Sequence, residues 1–294
     1  MSRRKTARDV DGWLIVDKPE GVGSTAVVGR ARWAFNARKA GHAGTLDPLA
    51  TGLVAIAFGG ATKIVPFAQD GLKTYRFTVR WGVATTTDDR EGEVAETSEN
   101  RPTAEEIEAA LPAFRGEVMQ TPPVFSAVKV AGERAYDLAR KGRDVSLAPR
   151  PILIERLELI ERPDADHAVF EMVCGKGGYV RSVGRDLGRA LGTCAHVTAL
   201  RRVSSGAFTL DHAVGYDELE RLRDDPAADA RLAPARLGLG DMPEVSVGAA
   251  AAERLSRGIA DAAPAAEAPV YWASHRGAPP RSRTAIGAPR WEAQ

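Results

Sequence analysis

The sequence has few of the residues that crosslink small secreted domains or hold metal ions. Two cysteines and five histidines occur among its 294 residues. Cys174 and Cys194 show neither the close pairing of a zinc site nor the repeated spacing of a disulfide framework. We therefore expect a reducing compartment, no metal, and two thiols buried as small apolar groups.

Long hydrophobic segments and an excess of one charge are also missing. No apolar run approaches the roughly twenty residues that span a bilayer. The basic N-terminus is not followed by an apolar segment of signal-peptide length. Lys and Arg total 40 and Asp and Glu total 39, so net charge alone indicates neither a nucleic acid nor a membrane as partner. These features predict a cytoplasmic protein that does not associate with membranes.

The acids, however, are distributed unevenly. Between Thr85 and Ala110 nine acids stand against two arginines. This excess predicts a solvated edge that takes no part in binding. The nine are Asp88, Asp89, Glu91, Glu93, Glu96, Glu99, Glu105, Glu106 and Glu108.

Alternating and helical patterns predict a mixed α+β domain. Trp13–Gly21, Leu53–Phe58 and the alternating segment that holds Tyr75, Phe77, Val79 and Trp81 are typical of strands. Two further strands are predicted in PILIERLELIER and AVFEMVC. One helix is predicted from an N-cap at Ser24 or Thr25 to a stop at Gly41, one after a capping box of Thr103 and Glu106, and one in YVRSVGRDLGRALG.

The stretch GHAGTLDPLATG carries a single acid, Asp47, on unusual backbone. Pro48 disfavours helical geometry at the residue before it. Gly41, Gly44 and Gly52 permit conformations that other residues resist. The motif therefore predicts a rigid, non-helical mount for a carboxylate, although an ordinary Asp-Pro turn would use the same residues. No second acid lies close enough in sequence for a two-carboxylate glycosidase, and no phosphate-binding glycine loop is present.

A set of motifs resembles the bacterial TruB family of tRNA pseudouridine-55 synthases. The matching segments are VDKPEGVGST, RKAGHAGTLDPLATGLV, GGATKIV, KTYRF, PPVFSAVKVAGERAYDLARKG, GGYVRSVGRDLG and GTCAHVTALRR, in the family's order over about the first 210 residues. The resemblance implies a pseudouridine synthase fold: a mixed, mostly antiparallel sheet with flanking helices and an RNA-binding insertion. It implies isomerisation of the T-loop uridine, position 55, of tRNA. The expected partner is the T arm of tRNA. The protein is expected to be a monomer and to need no cofactor or metal.

The resemblance also assigns roles to particular residues. Asp47 falls on the catalytic nucleophile, Tyr75 on the active-site tyrosine, and Arg181 on the arginine that pairs with the aspartate. The positions expected to contact the target nucleotide or the T loop, or to support the site, are His42, Tyr179, Leu200 and Lys18. Without the resemblance, three of these side chains also fit simpler roles: core packing for Tyr75, a solvated stripe with Arg185 and Arg189 for Arg181, and a turn for His42.

The resemblance and the composition of the C-terminal segment together predict the domain organisation, and two rival functions remain. Residues 1–240 are expected to form the catalytic domain, with an RNA-gripping insertion at about 122–145. Residues 241–294, rich in Ala, Pro, Gly and Arg, are expected to be a reduced or weakly ordered segment with one strand in PVYWAS. A non-catalytic tRNA-binding or RNA-folding protein of the same fold is one rival, and a synthase that modifies another RNA is a second.

Overall fold

The structure is a computed structural model that describes residues 6–130, 132–240, 242–256, 271–274 and 286–287. Its strands are β1 (Gly12–Lys18), β2 (Ala40–His42), β3 (Thr51–Phe58), β4 (Lys73–Trp81), β5 (Val83–Thr85), β6 (Val94–Thr97), β7 (Gly116–Gln120), β8 (Lys129–Val130), β9 (Glu133–Arg134), β10 (Arg150–Glu161), β11 (His167–Cys174), β12 (Ala195–Ser205), β13 (Val214–Gly215), β14 (Glu244–Ser246), β15 (Tyr271–Ser274) and β16 (Ile286–Gly287).

The helices within the same residues are α1 (Ser24–Ala34), α2 (Val65–Ala68), α3 (Ala104–Ala110), α4 (Ala135–Arg140), α5 (Val180–Ala190) and α6 (Ala249–Ser256). No helix in this part of the chain is long and apolar enough to cross a membrane. The chain divides into two compact units. The first comprises Met1–Pro48, Gly52–Gly71 and Ser205–Gln294, and the second comprises Leu49–Thr51 and Leu72–Ser204.

The first unit is built around the strand that begins with Gly12 and Trp13. β1 pairs antiparallel with β3 and parallel with β13, and β2 pairs antiparallel with β3. The ring of Trp13 is fully buried, 4.9 Å from the ring of Phe208, and its indole N–H donates to the carbonyl of Ala235 at 2.9 Å. The apolar residues of these strands therefore form a core to which residues near the C-terminal end of the unit, such as Leu239, also belong.

The second unit holds five strands in the order β12-β4-β11-β10-β7. β11 pairs antiparallel with β4 and with β10, and β10 pairs antiparallel with β7. The alternation predicted for β4 is confirmed, because Phe77, Val79 and Trp81 are buried. Phe77 stacks on Phe170 of β11 with ring centroids 5.4 Å apart. The expected α+β fold with mostly antiparallel pairing is thus confirmed.

A small substructure interrupts the second unit where the RNA-gripping insertion is predicted. The β8–β9 hairpin leads into α4, and a local cluster of Ala135, Leu138 and Val145 holds them together. The guanidinium groups of Arg134 and Arg140 lie over the ring of Tyr136, at 6.0 and 5.4 Å from its centroid. Two basic side chains of the insertion therefore lie on the face of one aromatic ring.

The predicted C-terminal segment lies partly outside the described residues. Its described parts include α6 and a three-stranded sheet in which β15 pairs with β14 and β16. The strand predicted in PVYWAS is confirmed as Tyr271–Ser274. The domain boundary at residue 240 and the weak order of residues 241–294 remain predictions.

The start and end of α1 differ from the sequence prediction. The cap residue is Gly23, and Ser24 is already helical. The helix ends at Ala34 instead of reaching Gly41, because Asn36 adopts a left-handed conformation with φ of 47°. The backbone of residues 36–38 then bonds to Arg8. By contrast, the capping box of Thr103 and Glu106 is confirmed on α3.

Candidate active site

In the first unit, Asp47 lies on non-helical backbone between two fixed neighbours. Leu46 is held through its backbone by Ser24, whose Oγ accepts from the Leu46 N–H at 2.8 Å and donates to its carbonyl at 3.0 Å. On the other side, the Pro48 carbonyl accepts from Gly21 N–H at 2.8 Å. The chain therefore cannot shift on either side of the Asp47 carboxylate without losing hydrogen bonds.

Lys18 also holds the loop that carries Asp47. Its side chain is fully buried, and its ammonium donates to the carbonyls of Pro19, Val22 and Pro48 at 2.8, 2.6 and 3.1 Å. An ammonium has three N–H donors, so these bonds use all of them. This geometry suits the supporting role expected for Lys18.

Two of the three glycines in the Asp47 motif have the special backbone that the motif predicts. Gly44 has φ of 121° and Gly52 has φ of 97°, a region that favours glycine. Gly41 has no such φ and lies in β2, so its predicted backbone role is wrong. His42, at the end of β2, is half-buried and accepts the Gly44 N–H at Nδ1, 3.3 Å away.

In the second unit, Tyr179 caps the start of α5 and is fixed by a buried amide. The side chain of Gln120 accepts from the Tyr179 N–H at 2.8 Å and donates to its carbonyl at 3.1 Å. A cavity of about 220 Å³ opens beside this contact, with Arg150 and Lys176 among its lining residues. Tyr179 itself is half-buried at that cavity.

Arg181 lies one position into α5 and is buried, with 4% of its side chain exposed. Its guanidinium donates to the carbonyls of Thr87 and Phe125 at 2.9 and 2.8 Å, and its Nε lies 3.6 Å from a carboxylate oxygen of Asp89. The alternative of a solvated stripe is therefore wrong for Arg181. The expected pairing of Arg181 with Asp47 remains a prediction.

Two of the nine acids predicted to form a solvated edge are instead packed inside the second unit. Asp89 is buried, and it accepts hydrogen bonds from the Thr87 hydroxyl and the Glu91 N–H. Asp88 forms an ion pair with Arg185 at 2.9 Å, and burial raises the pKa of its carboxyl above the ordinary value, with Arg185 opposing that rise. The prediction of solvation fails here because both acids meet arginines of α5.

Tyr75 and Leu200 occupy neighbouring strands of the second unit. Tyr75 is half-buried on β4, opposite Met172 of β11, whereas Phe77 on the same face is fully buried. Leu200 on β12 is buried, and its carbonyl accepts from the Thr51 hydroxyl at 3.4 Å. The incomplete burial of Tyr75 distinguishes it from a pure core residue.

The two thiols are free and buried, as expected. Burial raises the pKa of Cys174 to about 12, and burial together with Glu96 raises that of Cys194. Reactive cysteines have lowered pKa values, so neither is suited to act as a nucleophile. Over the described ranges, no cluster of His, Cys, Asp and Glu is suited to hold a metal ion.

The first unit carries Lys18, His42 and Asp47, and the second carries Tyr75, Tyr179, Arg181 and Leu200. Sequence reasoning missed three residues that hold the site: Ser24 and Gln120 bind the backbone of Leu46 and Tyr179, and Asp89 lies beside the Arg181 guanidinium. Ser24 follows a glycine-rich turn, and this position predicts a helix cap instead of the contact with Leu46. Asp89 and Gln120 have no local signal, because their partners lie far along the chain.

Solved structures with similar folds include chains of two protein complexes. The crystal structure of a Cbf5-Nop10-Gar1 complex matches with a TM-score of 0.66 and 25% identity, covering 84% of this chain and 67% of that one. The structure of an H/ACA RNP bound to a substrate RNA containing 2′-deoxyuridine matches with a TM-score of 0.66 and 21% identity, covering 90% and 74%. The fold class is that of the pseudouridine synthases.

Sequence comparisons define the family within that class. Residues 32–180 match the N-terminal domain of the TruB family pseudouridylate synthases, and residues 181–237 match the C-terminal domain of tRNA pseudouridylate synthase B. Relatives called tRNA pseudouridine synthase B include one from Dinoroseobacter shibae, 56% identical over 94% of this chain and 92% of its own, and one from Cereibacter sphaeroides, 55% identical over 95% and 94%. The chain belongs to the TruB family.

Proposed function

We propose that this protein isomerises the T-loop uridine of tRNA, position 55, to pseudouridine. The observation that carries the proposal is the mount of Asp47, whose neighbours on both sides are held by the buried side chains of Ser24 and Lys18. A carboxylate is already a nucleophile, so it needs positioning more than activation. Relatives called tRNA pseudouridine synthase B support tRNA as the substrate.

The proposed chemistry needs a carboxylate and no external reagent. A carboxylate oxygen of Asp47 attacks C1′ of the uridine while the C1′–N1 bond breaks, and the base leaves as an anion. The uracil turns and its C5 forms a bond with C1′, which releases the carboxylate. The proton on C5 is then lost and N1 takes one up, so the overall reaction is an isomerisation.

The remaining residues are assigned either to orienting Asp47 or to contacting the target nucleotide. We assign Arg181 to orient Asp47, since a planar guanidinium can hold a carboxylate through two parallel bonds. Tyr75 stacks on the extruded uracil, an interaction worth about 1–3 kcal/mol. Its hydroxyl oxygen takes the C5 proton as its own proton passes to water, from which N1 takes one up. His42 fills the gap left by the flipped base, while Tyr179 and Leu200 contact the nucleotide. Flipping itself costs a few kcal/mol, which these contacts offset.

Contacts with the RNA arm are assigned to the insertion around α4. The exposed side chains of Arg134 and Arg140 both lie over the ring of Tyr136, and they form no ion pair within the described chain. Lys141 and Arg143 instead pair with Glu133 at 2.8 and 3.6 Å. We expect the protein to work as a monomer in the cytoplasm, where its tRNA substrate is processed.

The test is to incubate the protein with unmodified tRNA and to map pseudouridine by carbodiimide modification and primer extension. Asp47→Asn is the matched variant, because the amide keeps the shape and removes the charge. We expect modification at the T-loop uridine by the wild type, none by the variant, and tRNA affinities within about tenfold of each other. Binding without modification would favour an RNA-folding role, and modification at another position would favour another substrate.

A further inference from the structure

Helix α5 buries two guanidinium groups one turn apart. Arg181 and Arg185 expose 4% and 12% of their side chains, whereas Arg189, a further turn along, exposes 72%. Removing a charge from water is unfavourable, so each buried arginine requires a set of partners. The partners of Arg181 hold a residue of the proposed active site, but those of Arg185 have no role in the proposed chemistry.

Arg185 binds the same two segments as Arg181. One is the turn formed by residues 85–89, called the acidic turn, and the other is the segment of residues 121–125. Arg185 donates to the Asp88 carboxylate at 2.9 Å and to the Thr121 carbonyl at 2.8 Å. It also donates to the carboxylate of the adjacent Asp186, at 2.8 and 3.2 Å. Arg181 donates to carbonyls of the same segments, those of Thr87 and Phe125. The two arginines therefore act on one pair of segments from successive turns of one helix.

The acidic turn contains one residue with left-handed backbone. Asp88 has φ of 60°, a region that few residues other than glycine, asparagine and aspartate adopt. This conformation directs the Asp88 carbonyl to the Val197 N–H of β12, at 3.0 Å, while the side chain reaches Arg185. The ion pair with Arg185 is thus placed to hold the turn in the shape that presents the Thr87 carbonyl to Arg181.

Stability alone gives little reason for this ion pair. Burial raises the pKa of Asp88, and the attraction of Arg185, Arg181 and Arg189 only partly opposes that effect. Buried ion pairs are often no more stabilising than apolar side chains of similar volume, so their clearest consequence is a defined geometry. The geometry at stake here is that of the Arg181 guanidinium.

We propose that the Arg185–Asp88 ion pair is a positioning device that sets the orientation of Arg181 for the isomerisation. This inference rests on the proposed function, in which Arg181 orients the nucleophile. Thr87 directly precedes Asp88, and Phe125 lies on the segment that Arg185 holds at Thr121. Loss of the ion pair would therefore displace the Thr87 carbonyl that helps to fix Arg181, and a displacement of about 1 Å can cost about 100-fold in rate.

The test compares Asp88→Asn, Arg185→Gln and the double variant with the control Arg189→Gln, which removes an exposed charge from the same helix. Single-turnover rates at saturating enzyme, tRNA dissociation constants and thermal unfolding are measured for each. We expect each single variant to lose about tenfold to 100-fold in rate, with the dissociation constant changed by less than about threefold and unfolding still cooperative. The double variant should lose no more than Arg185→Gln alone, because Asp88→Asn removes an interaction that Arg185→Gln has already removed. The control should keep the wild-type rate.

Several outcomes would overturn the inference: a wild-type rate in Asp88→Asn, losses that multiply in the double variant, or losses that disappear at saturating enzyme. If Arg185→Gln fails to fold, the rate of Asp88→Asn alone tests the inference. If both variants fail to fold, the ion pair serves the stability of the fold and the inference is overturned. A crystal structure of Asp88→Asn supplies a readout independent of activity. We expect Arg181 to lose its hydrogen bond to Thr87 or to Phe125, and retention of both would also overturn the inference. Failure of the wild type to modify tRNA would instead overturn the proposed function.

Discussion

Ser24 and Leu46 form a closed pair in which one hydroxyl satisfies both backbone groups of one residue. Replacement of Ser24 by alanine leaves the Leu46 N–H and carbonyl without that partner in a buried setting. An unsatisfied buried group costs about 1–3 kcal/mol, so Ser24→Ala should lower stability by that order and reduce the rate through the displaced Asp47. Thr25→Ala, an exposed substitution next in the helix, is the control. Urea unfolding and single-turnover rates give the comparison, and equal values for the two variants would contradict the prediction.

Arg181 should be replaceable by neither alanine nor lysine. Arg181→Ala leaves Asp89 as an unpaired buried charge, which costs about 3–5 kcal/mol. Arg181→Lys keeps the charge but cannot reach the Thr87 and Phe125 carbonyls in the same plane, so we expect partial stability and little activity. Adding Asp89→Asn to Arg181→Ala should recover stability without recovering turnover. Chemical denaturation and single-turnover rates separate the two effects, and a fully active lysine variant would remove the orienting role.

The salt dependence of tRNA binding should locate the RNA on the insertion. Each cation that displaces a counterion from a phosphate adds about one unit to the slope of log affinity against log salt. Replacement of Arg134, Arg140 and Lys141 by alanine should therefore flatten that slope, with Lys141 contributing least because Glu133 already pairs with it. Arg156→Ala is the control, since Glu158 and Glu171 hold its guanidinium at 2.7 Å each. A slope unchanged in the triple variant would place the RNA elsewhere.

Stability should depend on pH through His196. Burial lowers the pKa of this imidazole below its ordinary value of 6.5, and Nδ1 lies 2.7 Å from the carbonyl of Val83. As pH falls below about 6.5, the unfolded chain binds a proton that the folded protein does not, so stability decreases until the pH falls below the lowered pKa. His196→Asn removes the titratable imidazole, and with it this dependence of stability on pH. Urea unfolding from about pH 7.5 to about pH 5, a range that spans the titration of histidine, should show a flatter profile for the variant. Parallel profiles would contradict the assignment.

Truncation should separate the tail from the core of the first unit. Ala233 exchanges backbone hydrogen bonds with Trp13, and Leu239 and Met242 pack in the core around Trp13. Removal of residues 248–294 should keep cooperative unfolding and most of the single-turnover rate at saturating enzyme. Removal from residue 232 onward should abolish cooperative unfolding, because it uncovers that core. Loss of folding in the shorter truncation would show that the tail belongs to the fold.

The sequence predicted what depends on neighbours in the chain. Alternation located β4 and the burial of Phe77, and the spacing of apolar residues located α5, because each signal repeats within a few residues. Asp47 was found through its proline and glycines, which act on the local backbone. Even so, the stop of α1 was missed, since a left-handed Asn36 has a weaker signal than a glycine.

The features that could not be predicted depend on partners that are distant along the chain. Asp88 and Asp89 belong to an acidic stretch whose composition indicates solvation, and only the arginines of α5, nearly a hundred residues later, bury them. Ser24 was assigned to a cap because a cap and a clamp on Leu46 use the same hydroxyl group. Charge density along a sequence reports composition, whereas burial is decided by packing between segments.

The carbonyl cage around the Lys18 ammonium has a consequence for the reactivity of the chain. Side-chain amines react with acylating reagents only when they are accessible and have a lone pair, and this nitrogen is fully buried with each N–H donor engaged. Acylation footprinting read by mass spectrometry should therefore leave Lys18 unlabelled while the exposed Lys129 is labelled. Appearance of the label at Lys18 would then report the opening of the Asp47 loop in real time, without an RNA substrate.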